Sequence, residues 1–125
     1  MAELKTWTIP MTITEKNITD TVICALEGGT DYWMGCDPEV NPWLGKHGGR
    51  SFSERFAKGL IAGETAKIFD AEDPETKWAF SLTTLLKGFE LYFNDSERAL
   101  SFEDQDATEA DVIFQLGLFN EVRYG

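Results

Sequence analysis

Basic side chains, histidine, cysteine and long apolar runs are all scarce in this chain. Lysine and arginine number 11 against 22 aspartates and glutamates, giving a formal net charge of −11 over 125 residues. A chain this acidic is a poor ligand for nucleic-acid phosphates, whose dominant attraction is to cations. It is equally poor on an anionic membrane surface. No stretch approaches the ~18 consecutive apolar residues of a membrane span. The first residues show no basic region followed by an apolar one, so no secretory signal is read and a reducing, cytoplasmic setting is expected. The two cysteines, Cys24 and Cys36, and the single histidine, His47, lie eleven or twelve positions apart. Structural zinc needs four ligands and usually a close pair, so no metal and no cofactor is expected. Cys24, inside Val22-Ile23-Cys24-Ala25-Leu26, reads as a small buried hydrophobe.

What the chain does have is a core. Its hydrophobic fraction is 42%, with four Trp, three Tyr and nine Phe, so acidity does not imply disorder. One domain spans 1–125. Trp7, Ile9, Met11 and Ile13 alternate with polar residues and predict one half-buried strand over 5–13, irregular at Pro10. Asn17 is the expected cap of a first helix whose face is Ile18, Val22, Ile23 and Leu26, with Gly28-Gly29 ending it in a left-handed turn. Residues 30–50 hold Tyr32, Trp33 and Trp43 among glycines and two prolines, and predict a short strand near Tyr32–Gly35 with a long loop after it. Ser51 and Glu54 mark the start of a second helix. Thr65–Phe69 and Lys77–Leu82 predict a hairpin across a polar, proline-containing loop. A third helix is expected from Thr83 to Phe93, with Gly88 tolerated by a close packing partner, and a fourth is capped by Asp106 with Glu109. An extended piece is expected at Ala99–Phe102. The sum is α+β: a small antiparallel sheet of three or four strands packed with about four helices.

The motifs of nucleophilic, phosphate-cradling and metalloprotease chemistry are missing. Neither Asp70–Glu75 nor Asp104–Asp111 has the glycine and terminal glutamate of an EF-hand loop. A hydrolase would have to rest on His47 with a nearby carboxylate, and the chain is read as no enzyme. Two regions stand out. Residues 95–111 hold Asp95, Glu97, Glu103, Asp104, Asp106, Glu109 and Asp111 against Arg98. That is either a solvated face or a contact surface for a basic partner. The segment Glu27-Gly28-Gly29-Thr30-Asp31-Tyr32-Trp33 offers flat rings for stacking, and His47 and Arg50 offer cations for an anionic ligand such as a nucleotide. Sixteen aromatics in so small a domain also leave self-association open.

Two stretches carry a resemblance. Ile18-Thr19-Asp20 leading to Ala25-Leu26-Glu27-Gly28-Gly29-Thr30-Asp31-Tyr32-Trp33, and the ending from Ala110 through Leu118-Phe119-Asn120-Glu121-Val122-Arg123-Tyr124-Gly125, are similar to a family of small uncharacterised phage and prophage proteins. Leu85–Leu91 resembles the middle helix of that family. The resemblance implies a mobile-element accessory protein in the cytoplasm of a bacterial host, and it brings no catalytic residues to carry over. Together with size and charge it sets the functional expectation: a non-enzymatic inhibitor of a host factor, possessing an acidic surface that occludes a basic site, with an anti-defence role. The alternative is a module that sequesters a small molecule or nucleotide through Tyr32 and Trp33.

Overall fold

The computed structural model describes residues 6–8, 12–95 and 106–125, with side chains from 12 to 93 and from 106 onward. The architecture is α+β, and the described residues form four α-helices, a three-stranded antiparallel sheet and a separate two-stranded ladder. The predicted strand over 5–13 is in fact two: β1 (Thr6–Thr8) pairs antiparallel with β2 (Thr12–Thr14), setting Trp7 opposite Ile13. Proline, which cannot donate to a ladder, stands between them.

Helix α1 (Glu15–Cys24) starts earlier than expected. Thr14, not Asn17, is its cap: the Asn17 amide donates to the Thr14 hydroxyl at 3.2 Å, and the Asn17 side chain accepts the Thr14 amide at 2.9 Å. This reciprocal pair satisfies two groups that a helix start leaves open. Asn17 therefore serves the cap from three residues inside it. Ile18 and Val22 are fully buried, as the spacing requires.

The glycine stop also differs. Residues Ala25–Gly29 widen into a π-turn, closed by the Thr30 amide donating to the Ala25 carbonyl at 2.7 Å. Neither glycine there has a positive φ. Gly29 is bare because a Cβ would overlap the Ala107 carbonyl oxygen at the start of α4. The glycine permits an approach between backbones rather than a left-handed turn.

Strand β3 (Met34–Cys36) follows, and a 3-10 turn at Pro42–Gly45 occupies part of the expected long loop. Helix α2 (Phe52–Ile61) is capped by the Ser51 hydroxyl, which accepts the Glu54 amide at 3.2 Å. It buries Phe56, Ala57 and Leu60. Strands β4 (Ala66–Asp70) and β5 (Lys77–Phe80) form the expected hairpin, and β4 is central in the order β3-β4-β5. The register sets Ile68 opposite both Cys36 and Trp78. Alternation sends Ala66 and Ile68 into the core and Lys67 outward.

Helix α3 (Leu82–Asp95) takes Leu82 from the end of the predicted strand. Helix α4 (Ala107–Phe119) is capped by Asp106, whose carboxylate accepts the Glu109 amide at 2.9 Å. The two helices cross at a pair of glycines. A Cβ at Gly88 would overlap the Ile113 carbonyl oxygen, and one at Gly117 the Thr84 carbonyl oxygen. Removing both side chains lets backbone lie on backbone, which accounts for the helix-interior cost of about 1 kcal/mol at each. The extended piece expected at Ala99–Phe102 lies outside the described residues.

Candidate functional site

The chain leaving the π-turn carries Tyr32 and Trp33 onto helix α4. Asp111 receives both: the Tyr32 hydroxyl donates to Oδ2 at 2.7 Å, and the Trp33 indole N–H donates to Oδ1 at 2.7 Å. Gln115, one turn further along α4, donates to the same Oδ1 at 3.0 Å. Its Oε1 accepts the backbone amides of Arg123 and Tyr124, each at 2.8 Å, and its Nε2 donates to the Tyr124 carbonyl at 3.2 Å. Asp111 and Gln115 are buried, and their hydrogen-bonding capacity is used by this network.

The clamp on residues 123–124 seats the Tyr124 ring on Trp33. The two rings are stacked with centroids 5.0 Å apart and planes 3° apart. Trp78 and Phe119 meet Trp33 from other sides. The Tyr124 hydroxyl reaches the end of β4 and donates to Asp70 Oδ2 at 2.8 Å. The Ala71 amide donates to the Trp33 carbonyl at 2.8 Å, tying the same strand end to Trp33.

These contacts frame a cleft of about 400 Å³ lined by Tyr32, Trp33, Asp70, Glu72, Tyr124 and Gly125. Its electrostatics are one-sided. The Glu72 amide (2.8 Å), the Tyr124 hydroxyl and the Asp73 amide (3.2 Å) all donate to Asp70 and hold its carboxyl below the usual range. Desolvation and the hydrogen bond to Asp111 push the Tyr32 phenol up to about 12. Desolvation and the bond to Asp70 raise Tyr124 as well. At neutral pH the cleft therefore presents ionised Asp70, two protonated phenols and ring faces, and among the described residues no basic side chain lines it. Such a set suits a cation, through charge-assisted hydrogen bonds and cation–π contact.

The expected site residues separate. Tyr32 and Trp33 share the cleft, but His47 and Arg50 do not line it. His47 sits 3.2 Å from Glu64 through Nε2 and edge-on to Trp43, while the Arg50 amide donates to Glu54. The expected cation beside Tyr32 and Trp33 is thus replaced by the carboxylates of β4 and its loop. Trp33 itself is 1% exposed, so Tyr32, at 49%, is the accessible ring of the pair.

The expected acidic contact surface over 95–111 does not include Asp111, which is buried. Asp111 belongs to the interior, because three side-chain donors converge on it. Asp106 is the cap of α4, and Glu109 accepts the Tyr92 hydroxyl. Asp95 ends α3, and Glu97, Glu103 and Asp104 lie outside the described residues.

Asp70, Glu72, Tyr124 and Gln115 were missed in the sequence. A signal existed for Gln115: within Ala110–Phe119 it and Asp111 are the only polar side chains, four apart and hence on one helix face. Both cysteines are free, and burial pushes the Cys36 thiol up to about 11. Among the described residues no group of three or more His, Cys, Asp or Glu could hold a metal, and no helix is long and apolar enough to cross a membrane.

Comparison of the chain with protein-family models, with curated proteins and with solved structures finds no match.

Proposed function

We propose that this chain is a non-enzymatic binding protein, a phage or prophage accessory factor that inhibits a host protein by engaging its basic surface. The observation that carries this reading is the cleft between β4 and residues 123–125. It places Asp70, Glu72 and two phenols around one opening with no basic lining residue among those described. In a protein of net charge −11, long-range steering and local recognition then have the same sign. The occupant is a lysine or arginine side chain presented by the partner. Residues Asp106 and Glu109, at the start of α4, add to the negative field. Asp70, whose carboxyl is held below the usual range, is a weak base, which favours binding over catalysis at this cleft.

The test uses an arginine-rich peptide and a neutral glutamine-substituted control, titrated by tryptophan fluorescence. Wild-type protein is expected to bind the arginine peptide saturably. Asp70→Asn with Glu72→Gln removes both charges at nearly constant side-chain size, and is expected to weaken binding about tenfold or more. Equal binding by wild type and the double variant overturns the reading. Co-purification from host lysate, compared between the same two proteins, then seeks the host target.

A further inference from the structure

A second cleft, of about 550 Å³, lies on the outward face of the three-stranded sheet and has the opposite character. Its lining includes Lys67 and Phe69 from β4, Lys77 from β5, Val40 from the loop after β3, and Pro74 from the hairpin loop. Alternation along β4 turns Lys67 and Phe69 to this face while Ala66 and Ile68 face the core. Register sets Phe69 opposite Gly35 on one side and Lys77 on the other. A Cβ at Gly35 would overlap the Phe69 ring, so that ring lies across β3 as a fixed apolar floor.

The wall is also built. Strand β3 stops at Cys36, one residue short of pairing with Lys67. The side-chain amide of Asn41 completes the ladder: the Lys67 amide donates to Asn41 Oδ1 at 2.7 Å, and Asn41 Nδ2 donates to the Lys67 carbonyl at 2.9 Å. Nδ2 also donates to the Asp37 carbonyl at 2.9 Å. Asn41 is fully buried, and these bonds fix the loop that stands Val40, half exposed, beside Lys67.

Lys67 and Lys77 are exposed and form no ion pair among the described residues. Among the described residues the one carboxylate of the lining, Asp37, accepts the Glu39 amide at 2.9 Å. In a chain where acids outnumber bases two to one, two ammonium groups flanking an aromatic floor form a local reversal of charge.

We propose that this cleft binds a small amphipathic organic anion: an aromatic or aliphatic body over Phe69, between Val40 and Pro74, with its carboxylate, sulfonate or phosphate held by Lys67 and Lys77. The volume is in the range of small-molecule sites, and an apolar body with few charged contacts is their usual chemistry. The site is independent of the cation cleft and stands or falls separately from it.

The probe is 2-naphthoate, with the neutral 2-naphthamide and inorganic phosphate as controls, followed by amide chemical shifts of the full chain. Saturable shifts at residues 35, 40, 67–69 and 77 are expected with naphthoate, and weaker ones with either control. Lys67→Gln with Lys77→Gln is expected to lower naphthoate affinity about tenfold or more while leaving the remaining spectrum unchanged. Val40→Asp, which leaves both lysines, is expected to weaken binding too. Equal affinity for naphthoate and naphthamide, unaltered binding in the double variant, or saturation by a polyglutamate peptide without any by naphthoate each overturns the proposal.

Discussion

The two clefts meet the same strand from opposite faces, and they are built differently. Asp70, at the end of β4, serves the cation cleft, while Lys67 and Phe69 on the same strand serve the other. One residue of displacement along a strand reverses the face and here also reverses the charge. The cation cleft is wired into the core. Its back wall is Trp33, buried under Trp78, Phe119 and Tyr124 and anchored to Asp111. The sheet-face cleft rests on the outside of the sheet, where side chains contribute little to the interior. Recognition and stability are therefore coupled at the first cleft and separable at the second.

The largest way to break that contrast is Trp33→Ala. It empties a buried ring site and leaves Asp111 short of a donor, so about 3–5 kcal/mol of stability should be lost. Urea unfolding of the variant measures this, and a loss no larger than that of a surface substitution would mean the cleft is not coupled to the core.

A smaller, pH-dependent effect sharpens the same point. The Tyr32 phenol is raised from 10.0 to about 12 in the folded protein by desolvation and its bond to Asp111. The unfolded chain then loses this proton first. The contribution is fully present below about pH 10 and disappears as pH rises toward 12. Unfolding midpoints followed from pH 9 to pH 12 should fall more steeply in wild type than in Tyr32→Phe. Parallel curves would show that Asp111 does not hold this proton.

The smallest effect is expected at the second cleft. Lys67→Gln with Lys77→Gln removes two exposed charges that pair with nothing described, and should shift the free energy of unfolding by no more than about 0.5 kcal/mol. A loss comparable to that of Trp33→Ala would place these lysines in the stabilising framework and erase the contrast.

Residues 18–33 and residues 110–125, far apart in the chain, meet in the structure. Tyr32 and Trp33 come from one, and Asp111, Gln115 and Tyr124 from the other, yet they form a single network. The Glu27 side chain of the first stretch also accepts the Ser53 hydroxyl, joining it to the start of α2.

Local physics made much of the fold legible. The caps at Ser51 and Asp106, the β4–β5 hairpin and the close packing at Gly88 follow from side-chain hydrogen bonding, alternation and helix propensity, which act over a few residues. Local competition also produced the misses. Thr14 and Asn17 each suit a helix start, and only the position of β2 selected Thr14. Gly28-Gly29 resembles a left-handed stop, whereas its use depends on Ala107, nearly eighty residues away.

The sequence by itself determined the α+β class, the sign of the net charge and the importance of Tyr32 and Trp33, because composition and short periodicities carry those properties. The tertiary structure alone decided what surrounds them. It turned Asp111 inward, brought Asp70 and Tyr124 to the rings in place of His47 and Arg50, and gathered two lysines of an acidic chain beside Phe69. Each outcome depends on strand register and helix crossing, which join residues far apart in the chain; the pairing of Asp111 with Gln115 on one helix face is the part that left a local trace.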